Sequence, residues 1–213
     1  MKSYIVLLII VVLFGCSKGS KSSLALEEYQ NWLIEHKEQI LKTKGTDFLR
    51  ISAQYLAADY LAFQDLKLSV GSVSQEALDS LSHEYLQTLS FQVNLEASSK
   101  ENNLLYHKVN GYSEYKQRVN HLNFDLDTFL SLTVNDHRYK PLLGHFEGYH
   151  ELSNRLIFHV TFKPEEYMNG KFDDTIDRLY LTFDDPYWET GINHFTFERE
   201  HIEQLPKIAL SKL

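Results

Sequence analysis

The densest collection of chemically capable side chains lies between residues 144 and 151, where His145, Glu147, His150 and Glu151 alternate with glycines and aromatics. Imidazoles and carboxylates this close together are of the types that ligate Zn2+ or Cu2+, or that move a proton in hydrolysis. His145, Glu147 and His150 are the candidate ligands. On strand spacing, His145, Glu147 and Glu151 share a face while His150 points away, so a metal site there needs a loop. The competing reading is a polar connection between two strands, with Gly144 and Gly148 supplying turns. Two His-Glu pairs, His83-Glu84 and His150-Glu151, begin like the zinc-protease helix. Each has an amide, Gln87 or Asn154, where the second histidine would stand. A helix built that way presents one imidazole where two are needed.

Other chemistries are thinner. Glycine-rich phosphate loops and the Gly-x-Ser-x-Gly elbow are absent from the sequence, and no cofactor is implied. The acids fall into two groups: Asp173, Asp174 and Asp177 precede a strand pattern, and Asp184, Asp185 and Glu189 follow it. About 20 Å of strand would separate them, so they cannot form one carboxylate pair, and turn and cap roles account for them. Tyr187 and Trp188 sit in the turn after Asp184-Asp185-Pro186. Exposed at a loop tip they would anchor a protein or sugar; turned inward they would close the core. The exposed alternative makes them candidate partner-binding residues.

The elements that must position these groups follow from periodicity. The chain has 213 residues, 43% hydrophobic and 23% charged, with 13 Tyr, 13 Phe and one Cys. That balance describes a folded domain, and the formal charge of −8 argues against a nucleic-acid surface. A helix is expected over 24–42, with Leu26, Tyr29, Leu33, Ile40 and Leu41 on its apolar side. Shorter helices are expected over 74–85, capped by a serine, and over 113–122, with Tyr115, Val119 and Leu122 in a row.

Period-two alternation marks strands over 89–96, 156–162, 179–183 and 195–197. The stretch 124–134 reads as a strand that changes phase. Residues 48–55 read as a strand, although they could run helically into 57–66. About six strands without regular βα alternation give an α+β class: a mostly antiparallel β-sandwich or curled sheet with an N-terminal helix and two further short helices.

The N-terminus is the most specific signal. After Met1-Lys2-Ser3 come eleven apolar residues, 4–14, then Gly15 and Cys16. This is the layout of a secretory signal, and it is shorter than the roughly 20 residues a spanning helix needs. Leu13-Phe14-Gly15-Cys16 resembles the lipobox of bacterial lipoprotein precursors, with Phe14 larger than usual at its position. The resemblance implies diacylglycerol on the Cys16 thiol, cleavage after residue 15, and acylation (palmitate or a similar chain) of the new amino terminus. It covers residues 1–16 only, and the rest of the chain carries no family motif.

Cleavage would remove Lys2 and make the charge one unit more negative. Residues 17–23, all Ser, Lys or Gly, read as a flexible tether with a reach of roughly 25 Å. Ser17 after the cysteine is compatible, in that class, with the outer membrane of a diderm bacterium. The organisation expected is therefore a signal peptide (1–15), a lipidated Cys16 with its tether (16–23) and a single domain (24–213). The functional expectation is a lipid-anchored envelope lipoprotein, a non-catalytic module binding or assembling with an envelope protein or glycan. The alternative is an envelope hydrolase or metal-binding protein using His145, Glu147 and His150.

Overall fold

Alternation of large apolar with polar side chains decides the centre of the molecule. The computed structural model describes residues 23–70, 73–99, 103–147 and 154–210. The chain begins with β1 (Ser23–Ala25), α1 (Leu26–Glu35), α2 (Lys37–Ile40), β2 (Leu41–Gly45), β3 (Leu49–Leu56), α3 (Ala58–Val70) and α4 (Gln75–Tyr85). It continues through β4 (Leu89–Ala97), α5 (Tyr112–Phe124), β5 (Leu130–Val134), β6 (His137–Tyr139), β7 (Leu143–Glu147) and β8 (Arg155–Phe162). The last part holds β9 (Tyr167–Met168), β10 (Lys171–Phe172), β11 (Arg178–Asp184), β12 (Ile192–Glu198), α6 (Arg199–Glu203) and β13 (Lys207–Ala209). Single turns of 3-10 helix, Leu104–Tyr106 and Leu126–Thr128, stand before and after α5.

Two antiparallel sheets carry the core, one of five strands in the order β2-β3-β4-β8-β7 and one of four in the order β12-β11-β5-β6. Their inner faces meet. Phe91 on β4 lies 5.1 Å from Phe197 on β12, ring centre to ring centre, and Phe129 sits edge-on to both Phe158 and Phe183. Leu89, Phe91, Val93 and Leu95 point into this layer and are fully buried. The alternate positions of the same strand face outward, where Gln92 donates to Asn94 and Asn94 to Ser52. A one-residue slip would exchange these two sets, so the register is strongly specified. The class is α+β, with two stacked open sheets and helices to the side.

A second, smaller core gathers Tyr29 from α1, Ala62 and Phe63 from α3, Leu78 from α4 and Ile208 from β13. Here β1 and β13 pair in parallel, Leu24 opposite Ile208. Side chains also hold β13 through its backbone: Asp59 accepts from the Ile208 amide at 2.9 Å, and Gln75 accepts from the Leu210 amide at 2.7 Å. Ser74 caps α4 by accepting from the Ala77 amide, the role its position predicts.

The structure adds α3 and α6 to the three helices expected, and it departs from the sequence pattern at three further places. The single helix expected over 24–42 becomes β1, α1, α2 and β2. The break falls at His36, whose ring stacks on Trp32 and whose Nδ1 meets the Trp32 carbonyl at 2.9 Å. Leu41 then enters the five-stranded sheet opposite Gln54, since pairing with β3 outweighs one more helical turn. The phase change over 124–134 is an element boundary. Phe124 is the exposed end of α5, Leu126 lies in the 3-10 turn, and only 130–134 is strand. Finally, the run expected as a polar connection around 144–147 is β7, paired with β8 along its length.

Candidate functional site

Residues 1–22, and with them Cys16, the signal segment and most of the tether, lie outside the described residues, as do His150 and Glu151. His145 and Glu147 are described. Both project from the exposed outer face of β7, two residues apart, with His145 opposite His159 of β8. Burial lowers the pKa of His159 against the opposing pull of Glu147, with a smaller push from His145, and this favours its neutral form. Among the described residues no three His, Cys, Asp or Glu side chains converge as a metal would require.

Tyr187 and Trp188 take the inward alternative. Asp185 turns the loop back: its Oδ1 accepts from the amides of Tyr187 and Trp188 at 2.8 Å, and its Oδ2 accepts from the amide and hydroxyl of Thr190 at 2.7 Å. Trp188 is only 3% exposed and donates Nε1–H to the Leu104 carbonyl at 2.9 Å. The expectation of an exposed Tyr-Trp tip therefore fails for Trp188, because a carboxylate satisfying three amides folds the turn over the core.

Tyr187 is half-buried, with its hydroxyl 2.6 Å from Nδ1 of His121. Thr128 donates its hydroxyl proton to the Asp125 carbonyl and so accepts from Nε2–H of His121. Nδ1 is then the acceptor for Tyr187, and the network assigns the Nε2–H tautomer.

Above the Tyr187 ring lies Arg118, 4.4 Å from its centre. Arg118 is buried, and its Nη1 donates to the carbonyls of Leu104, Leu105 and His107 at 3.3, 3.2 and 2.8 Å. Burial lowers its pKa, while the Tyr187, Glu114 and Asp185 side chains act in the other direction. Nε is buried and meets no partner among the described residues, while three carbonyls at Nη1 and a ring against its face hold the guanidinium there. Its structural effect is to fasten the turn 104–107 to helix α5.

That turn carries Tyr106, and α5 carries Tyr112 and Tyr115. The rings of Tyr106 and Tyr115 lie 4.6 Å apart and 10° from parallel, with Tyr112 6.3 Å from Tyr115 at 29°. Tyr106 is 56% exposed and Tyr112 78% exposed. The two most exposed tyrosines among the described residues are thus ones the pattern did not single out as a surface. The expected apolar row placed Tyr115 in the core, and Tyr106 sits in a turn without periodicity.

One further concentration of polar groups lines an open groove of about 990 Å³ at the end of the four-stranded sheet, where Asp136, His137, Asp177, Arg178, Tyr180 and Arg199 meet. Behind it, Glu166 holds a clamp. Oε1 takes a hydrogen bond from Nδ1 of His137 at 2.7 Å, and Oε2 takes one from the Tyr139 hydroxyl at 2.6 Å. Burial pushes the Glu166 pKa up, but the bonds from Tyr139 and His137 outweigh it and the net shift is downward. The same bond to Glu166 raises the pKa of His137. A carboxylate-oriented imidazole can take and release a proton. The hydroxyls lining the groove are those of Thr175 and Tyr180, with no serine or cysteine among the lining residues. Arg178 and Arg199 are occupied by Glu198 and by Asp174 with the Asp173 carbonyl.

The two acidic groups stand at opposite ends of β11, as its length requires. Asp173 accepts from the Ile176 amide, and Asp185 forms the turn described above.

No family model matches the chain, and no curated protein matches it. Among solved structures, it is similar over 75% of its length to 92% of a DUF4426 family protein from Pseudomonas aeruginosa PAO1, at 10% identity and a TM-score of 0.30. A likeness of that size carries no argument about function.

Proposed function

We propose that this chain is a lipid-anchored lipoprotein of a bacterial cell envelope, and that its folded domain is a non-catalytic binding module. The observation that carries the reading is the position of the sole cysteine. Cys16 closes an eleven-residue apolar run behind Leu13 and Gly15, and a polar tether follows it. An acyl chain contributes about 0.8 kcal/mol per buried methylene, and one chain holds only marginally, so several on one residue make the attachment durable. Ser17 favours the outer membrane where the cell has one.

The binding-module part is supported by how the polar groups are used. Asp185 builds a turn, Asp174 and Glu189 pair with Arg199 and Lys108, Arg118 fastens a loop, and the His137–Glu166 pair has no serine or thiol nucleophile beside it in the groove.

Metabolic labelling with a palmitate analogue tests the anchor. The full chain should take up label, Cys16→Ser should not, and globomycin should make the uncleaved precursor accumulate. A wild-type chain that is exported without label overturns the reading.

A further inference from the structure

We propose that β7, an edge strand of the five-stranded sheet, is the surface through which two copies of this chain pair, antiparallel and edge to edge, around a two-fold axis. An edge strand offers unpaired amides and carbonyls, and folded proteins blunt it with lysines, proline, shortness or a cover. The other three edges of the two large sheets are guarded in these ways. β2 carries Lys42 and Lys44, and the Lys44 ammonium lies 6.0 Å from the centre of the Phe195 ring on β12. β12, the edge of the other sheet, has β2 and α2 packed against it. β6 is three residues long, carries Arg138, and is followed by Lys140-Pro141. Each is closed to a new strand.

β7 has none of these devices. Its residues, Leu143-Gly144-His145-Phe146-Glu147, include no lysine, arginine or proline, and among the described residues its backbone pairs with β8 alone. Phe146 turns inward and stacks on Phe158 at 5.0 Å, and Leu126 presses on the same face at Gly144. These contacts lie beneath the strand and leave its edge open. The start of that edge is also apolar. Leu142 and Leu143 are exposed, the second to 68%, and Phe124, two residues before the Leu126 that meets Gly144, is 81% exposed. One such side chain is ordinary. Three beside one open edge mark an interaction surface.

Charge selects a second copy as the partner. His145 and Glu147 stand two apart on the exposed outer face of β7. An antiparallel pairing with the two-fold axis at Phe146 sets His145 opposite the partner's Glu147, and Glu147 opposite the partner's His145. One imidazole–carboxylate contact is therefore made twice. Moving the axis by one residue, to His145, sets that ring against its own copy and Glu147 against the partner's Leu143, and both direct contacts are lost. The strand is thus complementary to itself in one direction and one register. About such an axis the inner faces of both sheets lie on the same side, so the two five-stranded sheets continue as one. Assembly stops at two, because β7 is then occupied and the remaining large-sheet edges are guarded.

This inference goes beyond the envelope reading and does not depend on acylation of Cys16. The full chain, purified in a detergent matched in density by the solvent, is sedimented over a concentration series up to about 100 μM. A particle holding two chains is expected, dissociating on dilution. Glu147→Lys sets a lysine against an imidazole twice and should weaken the pairing by about tenfold or more. Adding His145→Glu to that variant restores opposite charges in exchanged places and should recover the pairing. Both positions are exposed, so the variants should unfold like the wild type, and a denaturation curve checks this. The proposal is overturned by a single chain at every concentration, whatever else that chain binds, or by an assembly larger than two. It is equally overturned if pairing is indifferent to Glu147→Lys, or if the double variant fails to recover it. Each of these results would leave the palmitate labelling unaffected.

Discussion

Glu166 shows how one carboxylate can set the behaviour of a neighbour. It faces the four-stranded sheet and binds His137 through one oxygen and Tyr139 through the other. The linkage has two signs. His137 has a raised pKa, so its share of stability is complete below its ordinary value of 6.5 and fades as pH rises through the folded value. Glu166 has a lowered pKa, so its share is complete above its ordinary 4.5 and fades as pH falls through the folded value. The pair is therefore strongest between about 4.5 and 6.5. Glu166→Gln should lower the midpoint of the His137 ring resonances in an NMR titration towards the ordinary imidazole value; an unchanged midpoint would mean that the carboxylate does not govern the imidazole. Trp188 makes a different kind of prediction, since it is buried against Phe183 and bonded to the Leu104 carbonyl. Trp188→Ala should lower unfolding free energy by about 3–5 kcal/mol in a denaturant titration. A loss below 1 kcal/mol would contradict an inward indole.

At the scale of elements, one close approach joins α5 to the five-stranded sheet. A Cβ on Gly144 of β7 would fall 2.2 Å from Leu126 Cδ1, in the turn that follows α5. Gly144→Ala should therefore destabilise by about 1–3 kcal/mol, and most of that penalty should vanish when introduced into Leu126→Ala. Additive losses in this double-mutant cycle would show that the two elements do not press on each other. The same junction explains what could and could not be read from the chain. Strands β4, β8, β11 and β12 were legible because each buries one face and wets the other, and α4 because Ser74 announces it. Helix α3 was ambiguous since Ala58, Leu61, Ala62, Phe63, Leu66 and Leu68 leave no single apolar stripe. β2 was hidden inside an apparent helix because Leu41 fits either period. The clamp on Glu166 was beyond pattern reading altogether: His137 and Glu166 are 29 positions apart, and only the sheet brings them together. Tyr112 and Tyr115, three apart on one helix, were visible as neighbours, but the turn delivering Tyr106 was not.

Across the whole molecule, the two cores divide the labour. The sandwich holds the large aromatic layer, and the satellite gathers α1, α3 and α4 around the strand pair β1–β13. Deleting residues 207–213 should leave the sandwich intact while Leu24 and Ala25 lose amide protection in hydrogen exchange, because Ile208 and Ala209 are their partners. Retained protection at those amides would mean that β1 is held by something other than β13. The pairing also has a bearing on time. A chain is made from its amino end, at roughly 5–20 residues per second, and β1 finds its partner only once residues 207–209 have been made. Loop closure over so long a separation is slow. The strands of the two large sheets all precede β13, so the sandwich can assemble before β1 pairs. Closure of β1 onto β13 then follows the pairing of the two large sheets, and the satellite core forms late because its strands come from opposite ends of the domain.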